Sequence, residues 1–170
     1  MENRQVKKIE LLSPAGDLHR LKTAVDYGAD AVYIGGQRFS LRSRASNFSM
    51  DDIYEACAYA RARNASVHVT VNMVPHDEDF EGLKDYLTEL EKAGVKAVIV
   101  ASPAIMKLAK EVTQMEVHCS TQMSVTNADA AVFLKDHLHI DRVVLARECT
   151  LNQVKEITQR SEEHTSELQS

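Results

Sequence analysis

The chain has 170 residues, 44% of them hydrophobic and 26% charged, with a formal net charge of −5 at pH 7. That length suits one domain with a sizeable core, and the charge balance excludes a global basic field for capturing nucleic acid. No stretch is apolar for long enough to cross a membrane, and Met1-Glu2-Asn3-Arg4-Gln5 lacks the apolar core of a secretory signal, so a cytoplasmic protein is expected.

Six short β-rich runs alternate with helical stretches along the chain. "IELL" (9–12) comes first, and Asp17 then caps a helix whose apolar stripe is Leu18, Leu21, Val25 and Ala29. "DAVYIG" (30–35) follows. Ser49, with Asp51 and Asp52, opens a second helix along Ile53, Ala56, Cys57 and Ala60. After "SVHVTVN" (66–72), a third stripe runs through Leu83, Leu87, Leu90 and Ala93 to "KAVIV" (96–100). "EVHCS" (116–120) precedes a helix capped by Asn127, and "DRVVLA" (141–146) precedes one capped by Thr150. Gly28 and Gly94 stand where left-handed helix ends are expected.

Strict strand–helix alternation implies parallel strands joined by right-handed crossovers. Two architectures satisfy it, a (β/α)8 barrel and an open doubly wound sheet. "SVHVTVN" favours the barrel. Val67, Val69 and Val71 suit a helix-facing surface, whereas His68, Thr70 and Asn72 form a polar row suited to a barrel interior, ending at its mouth. His118 and Ser120 repeat the pattern in "EVHCS". The expected fold is therefore an incomplete TIM-type barrel with about six β/α units, spanning residues 9–159 after an N-terminal extension, 1–8.

A barrel's functional face is the carboxyl end of its strands. The loop "GGQRFSLRSRASNFS" (35–49) belongs there and carries Arg38, Arg42 and Arg44 with no acid. Guanidinium forks suit carboxylate or phosphate, and Gly35 and Gly36 allow close backbone approach. An anion site for a carboxylated small molecule or an RNA backbone is one reading; a solvated loop paired with nearby acids is the plainer one. In "STQMS" (120–124), Ser120, Thr121 and Gln122 offer hydroxyls and an amide to a polar ligand, or cap the next helix. Arg147 and Glu148 end the sixth strand and either pair with each other or present charge to substrate. "SPAGD" (13–17) has one glycine, Gly16, and is weak as a phosphate loop.

His68 and His118 are expected inside the barrel as hydrogen-bonded core histidines rather than metal ligands. Glu10 should also face inward and needs a partner, for which His68 and Arg142 are candidates. The three cysteines, Cys57, Cys119 and Cys149, have no CxxC spacing and read as reduced thiols. Cys119 and Cys149 could approach each other as soft ligands, but two thiols do not hold a cluster. No HExxH stands in the sequence, and no catalytic triad can be assigned from spacing. No metal site is predicted, and the catalytic residues are unknown.

"ELLSPAGDLHRLKTAVDYGADAVYIGG", "VTVN", "VIVASPA", "EVHCSTQMSVTNADA" and "RVVLARE" together resemble the peptidase U32 family, the collagenase-like proteases, from about Ile9 to Ile157. The nearest subgroup by resemblance is the tRNA hydroxylation protein P type. That resemblance implies a part in prephenate-dependent 5-hydroxylation of the tRNA wobble uridine. The alternatives are a U32 peptidase, or a non-catalytic RNA- or partner-binding barrel subunit. It implies tRNA and a carboxylated molecule such as prephenate as partners, with a paralogous U32 subunit as a further one; neither membrane nor DNA is expected. It places Ser13, Pro14, Ala15, Gly16, Gly35, Gly36, Arg42, Asn72, Ser120, Thr121, Gln122, Arg147 and Glu148 around the barrel mouth. No cofactor is expected in this chain; a [4Fe–4S] cluster, which some relatives bind through four cysteines, is implied for the full-length protein through cysteines downstream of this sequence.

The end of the chain reads differently. Arg160–Ser170, "RSEEHTSELQS", has one large apolar residue, Leu168, and is similar to the translation of a common sequencing-adapter oligonucleotide. It is expected to be non-native, and the chain an N-terminal fragment with little activity of its own.

Overall fold

The structure, a computed structural model, describes residues 9–41 and 48–166, with side chains as far as Ser161. Arg42 and Arg44 lie outside the described residues, as does the 1–8 extension. Strands β1 (Leu12–Pro14), β2 (Ala31–Gly35), β3 (Ser66–Val71), β4 (Ala97–Val100), β5 (Glu116–Cys119) and β6 (Arg142–Val143) alternate with helices. The helices are α1 (Leu18–Asp26), α2 (Met50–Arg61), α3 (Leu83–Ala93), α4 (Pro103–Val112), α5 (Ala128–Leu138) and α6 (Leu151–Ser166). Short 3-10 turns occupy Asp77–Phe80 and Thr121–Met123. None of these helices is long and apolar enough to cross a membrane.

The caps follow from side-chain chemistry. Asp17 accepts from the Arg20 amide, Asn127 from the Ala130 amide, and Ser49 exchanges hydrogen bonds with Asp52 in a capping box. Thr150 does the same with Gln153. Gly28 and Gly94 take φ of 96° and 92°, the left-handed turn that lets the chain leave a helix for the next strand.

All five strand pairs are parallel and the order is β1-β2-β3-β4-β5-β6. A doubly wound sheet would reverse its order at a switch point; this one does not. Curvature settles the matter. Six strands laid flat at about 4.8 Å spacing would put the first and last some 24 Å apart. Yet Arg142 on β6 donates to Glu10, just before β1, at 2.6 Å. The sheet therefore curls into an open sector of a (β/α) barrel, with Glu10 and Arg142 meeting across its concave side.

The two faces sort as the strand period requires. Val32, Ile34, Val67, Val69, Val71, Val98, Val100, Val117 and Cys119 are buried in one core beneath the helices, together with Leu21, Ile53, Leu87, Leu90 and Ile105. The opposite positions form cross-strand rows on the concave face: Tyr33, His68, Ala97 and Glu116, then Gly35, Thr70, Ile99, His118 and Arg142.

Several boundaries differ from expectation. The first ladder runs over Leu12–Pro14, not 9–12, because Leu12 is the first residue in register with β2. Leu11 is tied in by other means: its amide donates to the Asp30 carboxylate, and its carbonyl accepts from the Asp30 and Ala31 amides. Ile9 is left 89% exposed. Ala29 is buried beyond the end of α1 rather than on its stripe. β6 keeps a two-residue ladder, after which Val144 donates to the Cys119 carbonyl. α6 continues unbroken across Gln159–Arg160 to Ser166, with Ile157 buried and Arg160 bonded to Asp129.

Because the Glu10–Arg142 pair is part-exposed, with side chains 27% and 39% accessible, its worth is well below that of a fully buried pair. Glu10→Gln is expected to lower stability by about 1–2 kcal/mol. Urea unfolding will show it as a lower midpoint with an unchanged slope; an unchanged midpoint would mean the pair does not hold the curl.

Candidate functional site

A cavity of about 400 Å³ opens on the concave face at the carboxyl ends of the strands. Each strand, or the residue just after it, supplies part of its wall: Leu12, Tyr33, Thr70, Ile99, Ser120 and Val144. The rim adds Gly16, Asn72, Thr121, Gln122 and Arg147. Its size suits a small metabolite. Its polarity is one-sided: among the described residues that line it, Arg147 is the charged group and none is a carboxylate. Arg147 has no hydrogen-bond or ion-pair partner among the described residues.

The rim is held by a chain of hydrogen bonds. The Leu41 backbone N–H donates to Asn72 Oδ1 at 3.3 Å, and Asn72 Nδ2 donates to Gln122 Oε1 at 2.9 Å. Ser120 Oγ donates to the same Gln122 oxygen at 3.3 Å. Below Asn72, Thr70 Oγ1 lies 3.0 Å from Ser40 Oγ and 3.2 Å from the Ile34 carbonyl oxygen. The loops after β2, β3 and β5 are thereby locked to one another around the opening.

Beneath the cavity the barrel interior holds two buried imidazoles flanked by the part-exposed charges of Glu10, Glu116 and Arg142. His68 and His118 meet edge to face with ring centroids 5.0 Å apart. Burial pushes the His68 imidazole down to about 4. His118 is also lowered by burial, with its hydrogen bond to Glu116 opposing. Both rings are therefore neutral at pH 7, and His118 Nε2 must carry the proton it donates to Glu116 at 2.9 Å. Burial would raise Glu116, but the His118 hydrogen bond and the Lys96 charge outweigh it and leave the group lowered. The Arg142 hydrogen bond holds Glu10 below the usual carboxylate range. His118 is thus the hydrogen-bonded core histidine expected from its alternation. His68 is less satisfied: Nε2 sits 3.4 Å from Ser66 Oγ, and Nδ1 has no partner.

Of the residues singled out from sequence, Gly16, Gly35, Asn72, Ser120, Thr121, Gln122 and Arg147 are gathered in the cavity wall. Ala15 joins them. Ser13 and Pro14 stay in the β1 ladder and do not line the cavity, and three more are placed elsewhere. Arg38 packs over the Phe39 ring at 4.7 Å and reaches the Glu81 carbonyl at 3.4 Å, in a separate cleft with Gly82, Asp85 and Glu89. The cause is Phe39, whose φ of 62° turns the chain so that its own ring enters the core and Arg38 is sent outward. Gly36 is buried against Tyr86 rather than open to a ligand. Glu148 is exposed and does not line the cavity, nor does it pair with Arg147. Tyr33, Ile99 and Val144 are wall residues not foreseen as such. Counting the strand alternation outward from His68 and His118 would have found Tyr33 and Ile99, which share their cross-strand rows.

The cysteines do not fit an iron–sulfur cluster. Cys57 and Cys119 are buried in the apolar core, where desolvation pushes both thiols up to about 11. No group of three or more His, Cys, Asp or Glu is arranged to hold a metal among the described residues.

A family model described as Peptidase family U32 matches residues 16–169. The tRNA hydroxylation protein P1 of Bacillus subtilis is 46% identical over 155 residues, covering 91% of this chain and 36% of that protein. A collagenase of Porphyromonas gingivalis is 36% identical over 153 residues, covering 89% of this chain and 36% of that protein. The chain thus spans about a third of the length of these curated relatives. Among solved structures, the U32 peptidase Mk0906 superposes with a TM-score of 0.74 at 17% identity, covering 94% of this chain and 68% of that one.

Proposed function

This chain belongs to peptidase family U32, and from that premise we propose that it carries the ligand-binding part of a tRNA hydroxylation protein, acting in 5-hydroxylation of the wobble uridine. The observation that carries the reading is the polarity of the mouth cavity. Arg147, the Gln122 amide and the Thr121 and Ser120 hydroxyls converge on it, and no carboxylate among the lining residues competes with an anion. A carboxylated small molecule such as prephenate matches that lining. The arginines of the 35–49 loop are assigned to the tRNA phosphates, with a paralogous U32 subunit as a second partner. A tRNA substrate fits a cytoplasmic location.

The cavity does not favour peptidase chemistry. Ser120 and Thr121 supply hydroxyls, but among the described residues no His, Asp, Glu, Lys or Cys lines the same space to act as their base. Hydroxylation is therefore ranked above proteolysis. The test is nucleoside analysis of tRNA from the organism that encodes this chain. Deleting the gene should abolish wobble 5-hydroxyuridine and leave casein cleavage unchanged; an intact hydroxyuridine level would overturn the proposal. For the cavity itself, calorimetry on the chain should detect prephenate binding. Arg147→Glu should weaken that binding at least tenfold, since it replaces a charge-assisted hydrogen bond with repulsion.

A further inference from the structure

We infer that Asn72 is a positioning residue that sets the Gln122 amide so that its NH2 group, not its oxygen, faces the ligand, making the mouth cavity selective for an oxygen acceptor at that point. The inference rests on the anion-site reading proposed above and adds to it the group that fixes orientation.

An amide side chain can be turned end for end, so its direction must come from a partner whose role is unambiguous. The Leu41 backbone N–H is such a partner. It can only donate, so the Asn72 atom that it meets at 3.3 Å is the oxygen. Asn72 therefore turns its Nδ2 toward Gln122, and the Gln122 atom 2.9 Å away must accept. Ser120, whose hydroxyl can turn to suit, follows that orientation: it donates to the same Gln122 oxygen at 3.3 Å while accepting from the Gln122 backbone N–H at 3.5 Å. With Oε1 held by two donors, the remaining polar end of Gln122 is Nε2. It has no partner among the described residues, and Gln122 lines the cavity together with Arg147. An N–H donor pair and a guanidinium on one wall suit a carboxylate, and a site committed to donating rejects a ligand that offers it only donors. The information starts at a backbone amide in the loop after β2, passes along a side chain at the end of β3, and emerges after β5.

Prephenate is the probe, and the full chain is the sample. Gln122→Met, which keeps the length but removes the amide, should weaken binding roughly tenfold. Asn72→Leu should weaken it by a similar factor by freeing Gln122 to turn. The double variant should bind no more weakly than the poorer single one, because both changes delete the same relay. Asn72→Asp serves if Asn72→Leu fails to fold. It still accepts from Leu41 but opposes Gln122 Oε1 with another oxygen, so it should turn the amide and weaken binding further. Losses that multiply in the double variant, or wild-type affinity in Asn72→Leu, would overturn the relay. A second readout needs no ligand: the Gln122 side-chain amide resonances in a 15N spectrum should move in Asn72→Leu. Unmoved resonances would also overturn it. Should the unaltered chain fail to bind prephenate, the anion-site reading falls, and the amide spectra judge the relay by themselves.

Discussion

Acidifying the chain from pH 7 to pH 4 should cost its folded state roughly 3 kcal/mol through His68 alone, since each tenfold loss of proton affinity on folding is worth about 1.4 kcal/mol. Burial holds this imidazole near 4 against an ordinary 6.5. Between those values the unfolded chain binds a proton that the folded chain refuses, so stability falls as pH falls through that window and levels off below it. The groups around the ring do not rescue it. His118 is itself lowered, Arg142 repels a second positive charge, and Glu10 and Glu116 are already engaged by Arg142 and by His118 with Lys96. The two carboxylates act in the same direction: their folded values are lowered, so their contribution too is lost on acidification. Urea unfolding at half-unit steps from pH 7 to pH 4 will measure the slope. His68→Leu should flatten it between pH 6.5 and 4 and remove the unpartnered Nδ1 as well. Parallel pH curves for the two proteins would refute the assignment.

Gly36→Ala should destabilise the chain by about 3 kcal/mol, at the upper end for an added methyl, because a Cβ there would lie 2.1 Å from Tyr86 Oη and 3.3 Å from the ring carbon that bears it. Tyr86 cannot easily withdraw. It is 9% exposed, packs at a tilt against the Phe39 ring with centroids 5.1 Å apart, and belongs to the core. Its hydroxyl is also buried without a partner, and burial pushes it up to about 12. Tyr86→Phe should therefore be neutral or stabilising by about 1 kcal/mol, since it deletes an unsatisfied group. In the Tyr86→Phe background Gly36→Ala should cost far less, and the difference between backgrounds is the coupling a double-mutant cycle reads. Equal costs in the two backgrounds would show that the backbone around Gly36, not the hydroxyl, is the constraint.

The parts of this architecture legible beforehand were those with a two-residue rhythm. "SVHVTVN" and "EVHCS" put valines toward the helices and histidines inward, and the rows containing His68 and His118 are where that pattern placed them. The capping residues Asp17, Ser49, Asn127 and Thr150 were legible because their chemistry acts within four residues. What escaped depended on register or on a turn. "IELL" has the composition of a strand, but pairing is set by its neighbour and begins at Leu12. Arg38 was expected at the mouth with the rest of its loop; one left-handed residue, Phe39, reversed its direction, and nothing in a phenylalanine announces that. Glu10 could be given Arg142 as a candidate partner because both were expected to face inward, although 132 positions separate them.

The sequential strand order bears on how the chain acquires its shape at the ribosome. Every strand from β2 onward docks beside one synthesised just before it, so no contact along the sheet must wait for a distant segment. Each β/α unit can consolidate on its predecessor as it emerges, and the Glu10–Arg142 tie is the long-range closure, made only after the sixth unit is out. Slow translation upstream of Arg142 should therefore leave a row of docked units awaiting a late electrostatic latch, rather than an unfolded chain.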